Sequence, residues 1–301
     1  MKEARAIRSV PLPVSRRAWS IGDYVALAKP RLNFLVVLTS AGGYYLGSVG
    51  RPSLWGMAEA ALGTALVAGG AAALNQLYER DTDALMRRTR LRPLPDGRIE
   101  PGEAQLFGGA LAASGLAVLA AATNTLAALI ALGTLAVYLI VYTPMKRRSS
   151  LATLVGAVPG ALPPLIGWTA ARGSVSIGGL VLFAMVFLWQ IPHFMAIAWL
   201  YRDDYRRAGF PMLPVVEPDG RRTGRQALIY AAALLPASVA PSLVGVAGPA
   251  YLWVALPLGA VMLGLTARFA ATRSEAAARA VFFGSITYLP LLWMAMILLK
   301  W

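Results

Sequence analysis

The residues with the clearest capacity for chemistry lie between Asn75 and Pro95, in the run NQLYERDTDALMRRTRLRPLP. If Asn75, Glu79 and Asp83 belong to one helix, their i, i+4, i+8 spacing places all three side chains on one face. Oxygen ligands suit Mg²⁺, which proteins usually hold with one or two carboxylates together with the phosphates of a substrate. The spacing therefore predicts a metal site for a phosphorylated substrate.

We call Asn75, Glu79 and Asp83 the acidic ladder. Four arginines follow it, and guanidinium groups bind phosphate oxygens in a bidentate fork. They are Arg87, Arg88, Arg90 and Arg92. The alternative interpretation is that a loop of mixed charge simply solvates the end of a helix.

A second stretch repeats the same chemistry, because YRDDYRRAGF at residues 201–210 also follows a long apolar run. Asp203 and Asp204 match Glu79 and Asp83 in kind, and neighbouring arginines supply the same flanking charge. If both stretches lie at one face of the protein, they form two halves of one site. That expectation favours a metal and phosphate site over a solvated helix end.

Long apolar segments must position these loops, since 57% of the 301 residues are hydrophobic and only 14% are charged. This composition predicts an all-α polytopic membrane protein with about nine transmembrane helices. Pro159, Pro163 and Pro164 should kink the fifth. With no cysteine, disulfides, thiolate metal sites and cysteine nucleophiles are excluded. The predicted spans are 32–49, 54–78, 104–121, 124–143, 151–171, 176–200, 226–246, 249–267 and 278–299.

The distribution of basic residues predicts the orientation of the chain. Of the 28 Lys and Arg, 25 lie in the N-terminal segment and in every second loop between the predicted spans. The other three lie in the segments on the opposite side of the membrane. The positive-inside rule then places residues 1–31 and the loops 79–103 and 201–225 in the cytoplasm. Residues 32–301 would form one transmembrane domain around a central cavity that opens to the cytoplasmic face. The net charge of +14 reflects this topology, and we expect no nucleic-acid partner.

Several motifs in order carry a resemblance to a known family. The acidic ladder with Arg88-Thr89 and Arg92-Pro93-Leu94 behind it resembles the first signature of the UbiA superfamily of intramembrane prenyltransferases. Four more stretches are similar to the branch of that superfamily whose acceptor is haem. They are AKPRL (28–32), YTPMKRRSSLATLVGAVPGALPPLIGW (142–168), WQIPHFMAIAW (189–199) and YRDDYRRAGFPMLPVV (201–216).

The resemblance implies a multi-pass enzyme of the cell (inner) membrane that joins farnesyl diphosphate to haem B with the help of Mg²⁺, with its active site toward the cytoplasm. A haem A synthase or an oxidase-assembly protein would be a partner. The implied metal ligands are Asn75, Glu79, Asp83 and Asp204, with Asp203 sharing the catalytic work. The implied substrate contacts are Arg88, Arg92, Lys146, Arg147, Tyr142, Tyr201 and His193.

This chain departs from the expected pattern at three places, one of which is Ala152, where Asn is expected after the Lys-Arg-Arg cluster. Glu79 stands where the family usually has Asp, and the second motif lacks its D-x-x-x-D spacing because Arg207 follows Asp203 by four residues. Which of Asp203 and Asp204 contacts the metal therefore stays open.

His193 is the single histidine of the chain and lies inside the sixth predicted span. An ionisable residue within a membrane span is a functional hypothesis by default, and for haem it would be an axial iron ligand. The alternative is a histidine that hydrogen-bonds between helices. The sequence leaves both open.

Other functions fit parts of the pattern. A transporter for an anionic metabolite would place its charges near the membrane midplane, whereas here the acids cluster at one face. A related prenyltransferase with a quinone precursor, a chlorophyllide or a lipid as acceptor would share the same ladder. A CDP-alcohol phosphotransferase would need a D-G-x-x-A-R opening that the acidic loops lack.

Overall fold

In a computed structural model that describes residues 20–301, the chain is almost entirely helical. Residues 1–19 of the predicted cytoplasmic segment 1–31 lie outside the described residues. Within the rest of that segment, Ile21–Ala28 forms a helix, α1. The other helices are α2 (Pro30–Gly47), α3 (Leu54–Tyr78), α4 (Arg80–Asp83), α5 (Pro101–Val118), α6 (Thr125–Ala136), α7 (Thr143–Met145), α8 (Ala152–Ala161), α9 (Pro163–Arg172), α10 (Ile177–Leu200), α11 (Arg202–Arg207), α12 (Leu213–Val216), α13 (Arg221–Leu243), α14 (Leu252–Thr272) and α15 (Glu275–Leu298).

Within residues 20–301, eight helical segments are long and apolar enough to cross a membrane. This confirms the predicted all-α polytopic membrane protein. The remaining predicted span corresponds to α2, whose first turn contains Arg31 and Asn33 and which is less apolar than the others. The count of nine, the inside location of the N-terminus and the treatment of 32–301 as one domain stay predictions. The eight segments are Leu54–Tyr78, Pro101–Thr123, Thr125–Met145, Ala152–Arg172, Ile177–Leu200, Arg221–Leu243, Pro249–Thr272 and Glu275–Leu298.

A sharp elbow joins α1 to α2 at Lys29, whose φ of 48° and ψ of 55° lie in the left-handed region. Pro30 follows and starts α2, a position in which its fixed φ suits a helix. The side chain of Gln76 on α3 donates to the carbonyl of Leu27 at 2.7 Å, and Asn33 donates to that of Ala28 at 2.7 Å. The first bond attaches the elbow to the helix that carries Asn75, and the second closes the elbow itself.

The predicted proline kink of the fifth span is confirmed as a break at Leu162 between α8 and α9. It brings α9 into very close contact with α2. A Cβ atom on Gly167 would overlap the carbonyl of Ser40, and one on Gly43 would overlap the carbonyl of Pro164. Glycine is therefore required at both positions, because the two backbones touch there.

The largest core cluster is built around α10, which packs against α8, α9, α13 and α15. Its fully buried members include Met185, Ile191 and Met195 of α10 itself. Because α10 runs through the centre of the bundle, its C-terminal end carries the second acidic loop to a fixed position beside the first.

We predict that Gly167→Ala lowers the thermal midpoint of the detergent-solubilised protein, with a loss of stability of about 2 kcal/mol or more, because the added methyl group forces two backbones apart. Gly133→Ala is the matched control, since a Cβ at that exposed helical position meets no atom within 4 Å. Alanine favours helix, so this control should be neutral or slightly stabilising. Equal midpoints for the two variants would contradict the close contact of α2 and α9.

Candidate active site

The acidic ladder lies at the end of α3, but it does not occupy one unbroken helix as expected. The helix ends at Tyr78, Glu79 has φ of −96° and ψ of 4°, and the single turn α4 follows. The i, i+4 connection persists through the break, because the Glu79 amide donates to the Asn75 carbonyl at 3.0 Å and the Asp83 amide to the Glu79 carbonyl at 2.7 Å. Asn75, Glu79 and Asp83 are all buried, with 2%, 7% and 1% of their surfaces exposed.

Each of the two buried carboxylates has a cationic partner. Lys146 Nζ lies 2.7 Å from Glu79 Oε1, and Arg92 Nη1 lies 2.6 Å from Asp83 Oδ2. A buried carboxylate without such a partner would be strongly destabilising. These pairs attach the end of α3 to its own following loop and to the segment after α7.

Asn75 is held in place by a short chain of neutral hydrogen bonds. Its Nδ2 atom donates to Thr143 Oγ1 at 3.0 Å, and that hydroxyl donates to the carbonyl of Tyr138 at 2.8 Å. The donation by Nδ2 leaves the amide oxygen of Asn75 available as an acceptor.

One oxygen atom of the acidic ladder, Asp83 Oδ1, is suited to bind a divalent metal. Asp83 Oδ1 is buried and makes no hydrogen bond within the described part of the chain, whereas Oδ2 is taken by Arg92. A buried carboxylate oxygen normally has a partner, so a cation is a natural one here. Within residues 20–301, however, no group of three or more His, Asp and Glu side chains converges on one point.

Lys146 stands at the centre of the charged region. Its ammonium lies 5.3 Å from the ring centroid of Tyr142 and 5.3 Å from that of Phe210. Burial by itself lowers the pKa of Lys146, but Tyr142 and Glu79 outweigh burial and raise the pKa above its usual value. The ion pair with Glu79 at 2.7 Å therefore favours the charged form of Lys146.

The second acidic pair lies on α11 beside the first loop. Asp203 pairs with Arg206 at 2.8 Å and is 65% exposed, whereas Asp204 pairs with Arg207 and is 15% exposed. Both line a cleft of about 440 Å³ together with Arg88. Asp204 is the more enclosed of the two, which favours it as the ligand that the sequence left undecided.

The two loops are in direct contact. Met86 of the first loop packs against Ala208 and Phe210 of the second. The Arg88 guanidinium lies over the rings of Tyr201 and Tyr205, at 5.1 Å and 5.9 Å from their centroids. The two halves expected from the sequence are thus adjacent.

An apolar cavity of about 360 Å³ opens beneath this charged region. Its walls come from α2, α3, α6, α8, α9, α10 and the segment Val137–Tyr142, and Lys29, Asn33 and Gln190 are its most polar members. Apolar wall residues include Val36, Val67, Leu135, Ile166 and Phe194. A charged rim above an apolar chamber suits a substrate with a diphosphate head and a hydrocarbon tail.

Two of the predicted contact residues lie apart from this arrangement. Arg147 is exposed and lines neither the cleft nor the cavity. His193 does not line the cavity either, although its neighbour Phe194 does. The His193 ring instead stacks on Trp189 at 5.1 Å and on Phe282 of α15 at 5.2 Å.

The hydrogen bonds around His193 link α10 to α15. Its Nδ1 atom lies 2.8 Å from Ser285 Oγ, and that hydroxyl donates its single proton to the carbonyl of Phe282 at 2.7 Å. The Nδ1–H tautomer of His193 fits this pair of bonds, and in that tautomer the Nε2 lone pair is free for a ligand. This arrangement is compatible with both interpretations of the sequence: the ring forms a hydrogen bond between two helices, and its other nitrogen is available to a ligand.

Lys29 is a site residue that reasoning from the sequence did not single out. It lines the cavity, and its ammonium interacts electrostatically with Arg92, Glu79, Lys146 and Asp83. Burial, followed by the charge of Arg92, lowers its pKa to about 8. The signal available in the sequence was the Lys-Pro pair inside AKPRL, because a helix elbow at proline can turn a lysine inward.

Comparison with known proteins gives a consistent picture. The model of the UbiA prenyltransferase family matches residues 35–293. Protoheme IX farnesyltransferase of Solibacter usitatus is 47% identical over 286 residues, covering 92% of this chain and 98% of that protein. That of an Anaeromyxobacter species is 48% identical over 279 residues, covering 92% and 93%. The structure of a UbiA homolog from Archaeoglobus fulgidus bound to GPP and Mg2+ has a TM-score of 0.64 at 21% identity and covers 91% of this chain and 99% of that one.

We predict that affinity for an alkyl diphosphate depends on the charge of Lys29. In the free protein its ammonium is charged below about pH 8 and neutral above it, so affinity should be full below that pH and decline above it. The ligand itself stays fully ionised there, since its last pKa lies near about 6. Lys29→Arg stays charged throughout and should give a flat profile. Calorimetric titrations on either side of pH 8 would check this, and parallel profiles for both proteins would contradict it.

Proposed function

The chain belongs to the UbiA prenyltransferase family, and we propose that it transfers a farnesyl group from farnesyl diphosphate to a vinyl group of haem B, with addition of water, to give haem O. The observation that carries the proposal is the charged rim of Glu79, Asp83, Lys146 and Arg92 above an apolar cavity. The relatives named protoheme IX farnesyltransferase support this donor and acceptor.

The chain is a multi-pass membrane protein. We place it in the cell (inner) membrane with the acidic loops toward the cytoplasm, because 25 of its 28 basic residues fall on that side. A haem A synthase or an oxidase-assembly protein would then collect the product.

The reaction begins when the bond between the allylic carbon and the diphosphate oxygen breaks, and the diphosphate leaves with the electron pair. The vinyl group attacks the allylic cation, water adds to the carbon that becomes positive, and one proton is lost. The balance is farnesyl diphosphate, haem B and water on one side, with haem O and diphosphate on the other.

The chain's own cations stabilise the leaving group. Lys146 and Arg92 already face the ladder, Lys29 points into the cavity from its rim, and Arg88 borders the cleft of Asp204. Fixed charges of this kind act without reorganisation while charge develops on the diphosphate.

Asn75, Glu79, Asp83 and Asp204 are the residues that would hold Mg²⁺, and the unpartnered Asp83 Oδ1 supports that assignment. When bound, Mg²⁺ neutralises negative charge on the diphosphate oxygens. Asp203 is more exposed and would serve as a supporting charge.

The apolar cavity holds the farnesyl tail and keeps water from the allylic cation. Val36, Val67, Leu135 and Ile166 present hydrocarbon surface, and the Tyr142 ring lies at the rim between tail and diphosphate. Exclusion of water both strengthens the electrostatic contacts and prevents premature hydrolysis of the cation.

His193 is assigned to the acceptor as an axial ligand of the haem iron. The free Nε2 lone pair supports this role, since metal-bound histidines commonly donate their other N–H to an oxygen acceptor, here Ser285 Oγ. Tyr201 and Arg147 would contact polar groups of the substrates at the loop surface.

A product assay tests the function. Purified protein in detergent is incubated with haem B, farnesyl diphosphate and Mg²⁺, with and without chelator, and the products are analysed by mass spectrometry. We expect a haem adduct heavier by a farnesyl group plus water, which disappears on chelation. A preparation that forms no haem adduct but prenylates a quinone precursor would refute the haem assignment.

We predict that Asp83→Asn reduces turnover in this assay by about 100-fold or more, because the amide keeps the shape of the side chain and removes the charge that the site requires. Asp81→Asn is the matched control, since Asp81 is 87% exposed and pairs with its neighbour Arg80. Similar activity of the two variants would contradict a catalytic role for the acidic ladder.

We predict that His193→Ala weakens binding of haem B by about tenfold or more and abolishes the absorption signature of a histidine-ligated iron, while affinity for farnesyl diphosphate is unchanged. His193→Met should retain binding with an altered spectrum, because a thioether is also a haem ligand. If the haem spectrum of His193→Ala equals that of the wild-type protein, His193 serves only to join α10 and α15.

A further inference from the structure

A second charged cavity lies at the opposite end of the helices from the candidate active site. It has a volume of about 560 Å³ and is bordered by the C-terminal end of α2, the N-terminal end of α10 and the last residues of the chain. Arg172 and Lys300 both line it. The site of Glu79 and Asp83 stands at the far ends of α3 and α10, so this cavity faces the other side of the membrane.

These two cations are bound to the same helix end. Arg172 Nε donates to the carbonyl of Gly47 at 2.7 Å, and Lys300 Nζ donates to the carbonyls of Tyr45 and Ser48 at 2.7 Å and 2.8 Å. Their charges also lie over aromatic rings, with Arg172 at 5.3 Å from Trp168 and Lys300 at 4.9 Å from Tyr45. The contacts fix both side chains at the cavity wall.

Most of the donor capacity of the pair is left unused. Within residues 20–301, neither cation pairs with a carboxylate, and Arg172 makes no hydrogen bond through Nη1 or Nη2. One ammonium N–H of Lys300 is free as well. The bonds to the carbonyls at the end of α2 therefore use only part of the hydrogen-bond donors of Arg172 and Lys300.

The two positive charges also oppose each other. Burial, and then the nearby Arg172, lowers the pKa of Lys300. Among residues 20–301, this end of the helices carries three basic residues, and two of them share this cavity. An anion between them would relieve the repulsion and satisfy the free donors.

We infer that Arg172 and Lys300 form a phosphate-binding site for the head group of an anionic membrane lipid, at the membrane face opposite the candidate active site. The guanidinium fork of Arg172 binds two phosphate oxygens, Lys300 supplies a third contact, and Ser176 borders the same space. Apolar wall residues such as Ile177, Val244 and Val246 lie where an acyl chain would begin. These walls favour a lipid over free phosphate.

Native mass spectrometry of the whole protein tests the inference. The protein, with its purification tag on the N-terminus, is released from detergent in the presence of phosphatidylglycerol or phosphatidylcholine. We expect the wild-type protein to retain phosphatidylglycerol in preference to phosphatidylcholine, and Arg172→Gln to lower that retention by about fivefold or more. Arg51→Gln is the control, because Arg51 is exposed on the same face and does not line the cavity.

Two further variants separate binding from folding. Lys300→Gln keeps amide donors for the helix carbonyls and removes the charge, so it should lose lipid with an unchanged thermal midpoint. Arg172→Lys keeps the charge without the guanidinium fork. It should retain an amount of phosphatidylglycerol between those of the wild-type protein and Arg172→Gln. Equal retention of phosphatidylglycerol by the wild-type protein, Arg172→Gln and Lys300→Gln would overturn the inference. Displacement of the lipid by inorganic phosphate in the wild-type protein alone would support the phosphate site and assign it to the free anion.

Discussion

The burial of carboxylates at the edge of the membrane is the constraint on which the active-site arrangement depends. Glu79 and Asp83 have almost no exposed surface, and in such surroundings an unpaired charge would be strongly destabilising. Lys146 and Arg92 meet that requirement at 2.7 Å and 2.6 Å, and they come from two different segments of the chain. Neutralising the acids therefore also folds the first loop over the end of α3 and draws the segment after α7 onto it. The same cations then stand where a diphosphate would arrive.

Two kinds of contact below this charged layer hold the cavity in shape. The α1–α2 elbow is tied to α3 through the bond from Gln76 to the Leu27 carbonyl, which places Lys29 at the rim. On the far side, Gly43 and Gly167 let α2 and α9 touch backbone to backbone. The cavity between these helices stays apolar while its rim is charged, and this polarity matches a substrate that is ionic at one end and hydrocarbon at the other. Ionisation at the rim and protection of the cation in the cavity follow from one geometry.

The two membrane faces use positive charge differently. On the acidic face, Lys146 and Arg92 are each balanced by a buried carboxylate. On the opposite face, Arg172 and Lys300 donate to backbone carbonyls at the end of α2, and within the described residues neither pairs with a carboxylate. Two of the three basic residues at this end of the described helices therefore share one cavity. Such a pair can attach the bundle to the lipid leaflet on that side, at the end of α10 that is remote from catalysis.

The sequence by itself determined the helical class, most span positions, the proline break between α8 and α9 and the two acidic loops, because these follow from local hydropathy, proline chemistry and residue type. It could not determine that Lys146 pairs with Glu79 or that Lys29 turns inward to the cavity, since each depends on distant segments meeting in space. His193 shows the same limit: its position within a span is readable from the chain, but its bond to Ser285 on α15 is not. Periodicity reports which residues share a face of one helix, whereas only tertiary packing decides which neighbour that face meets.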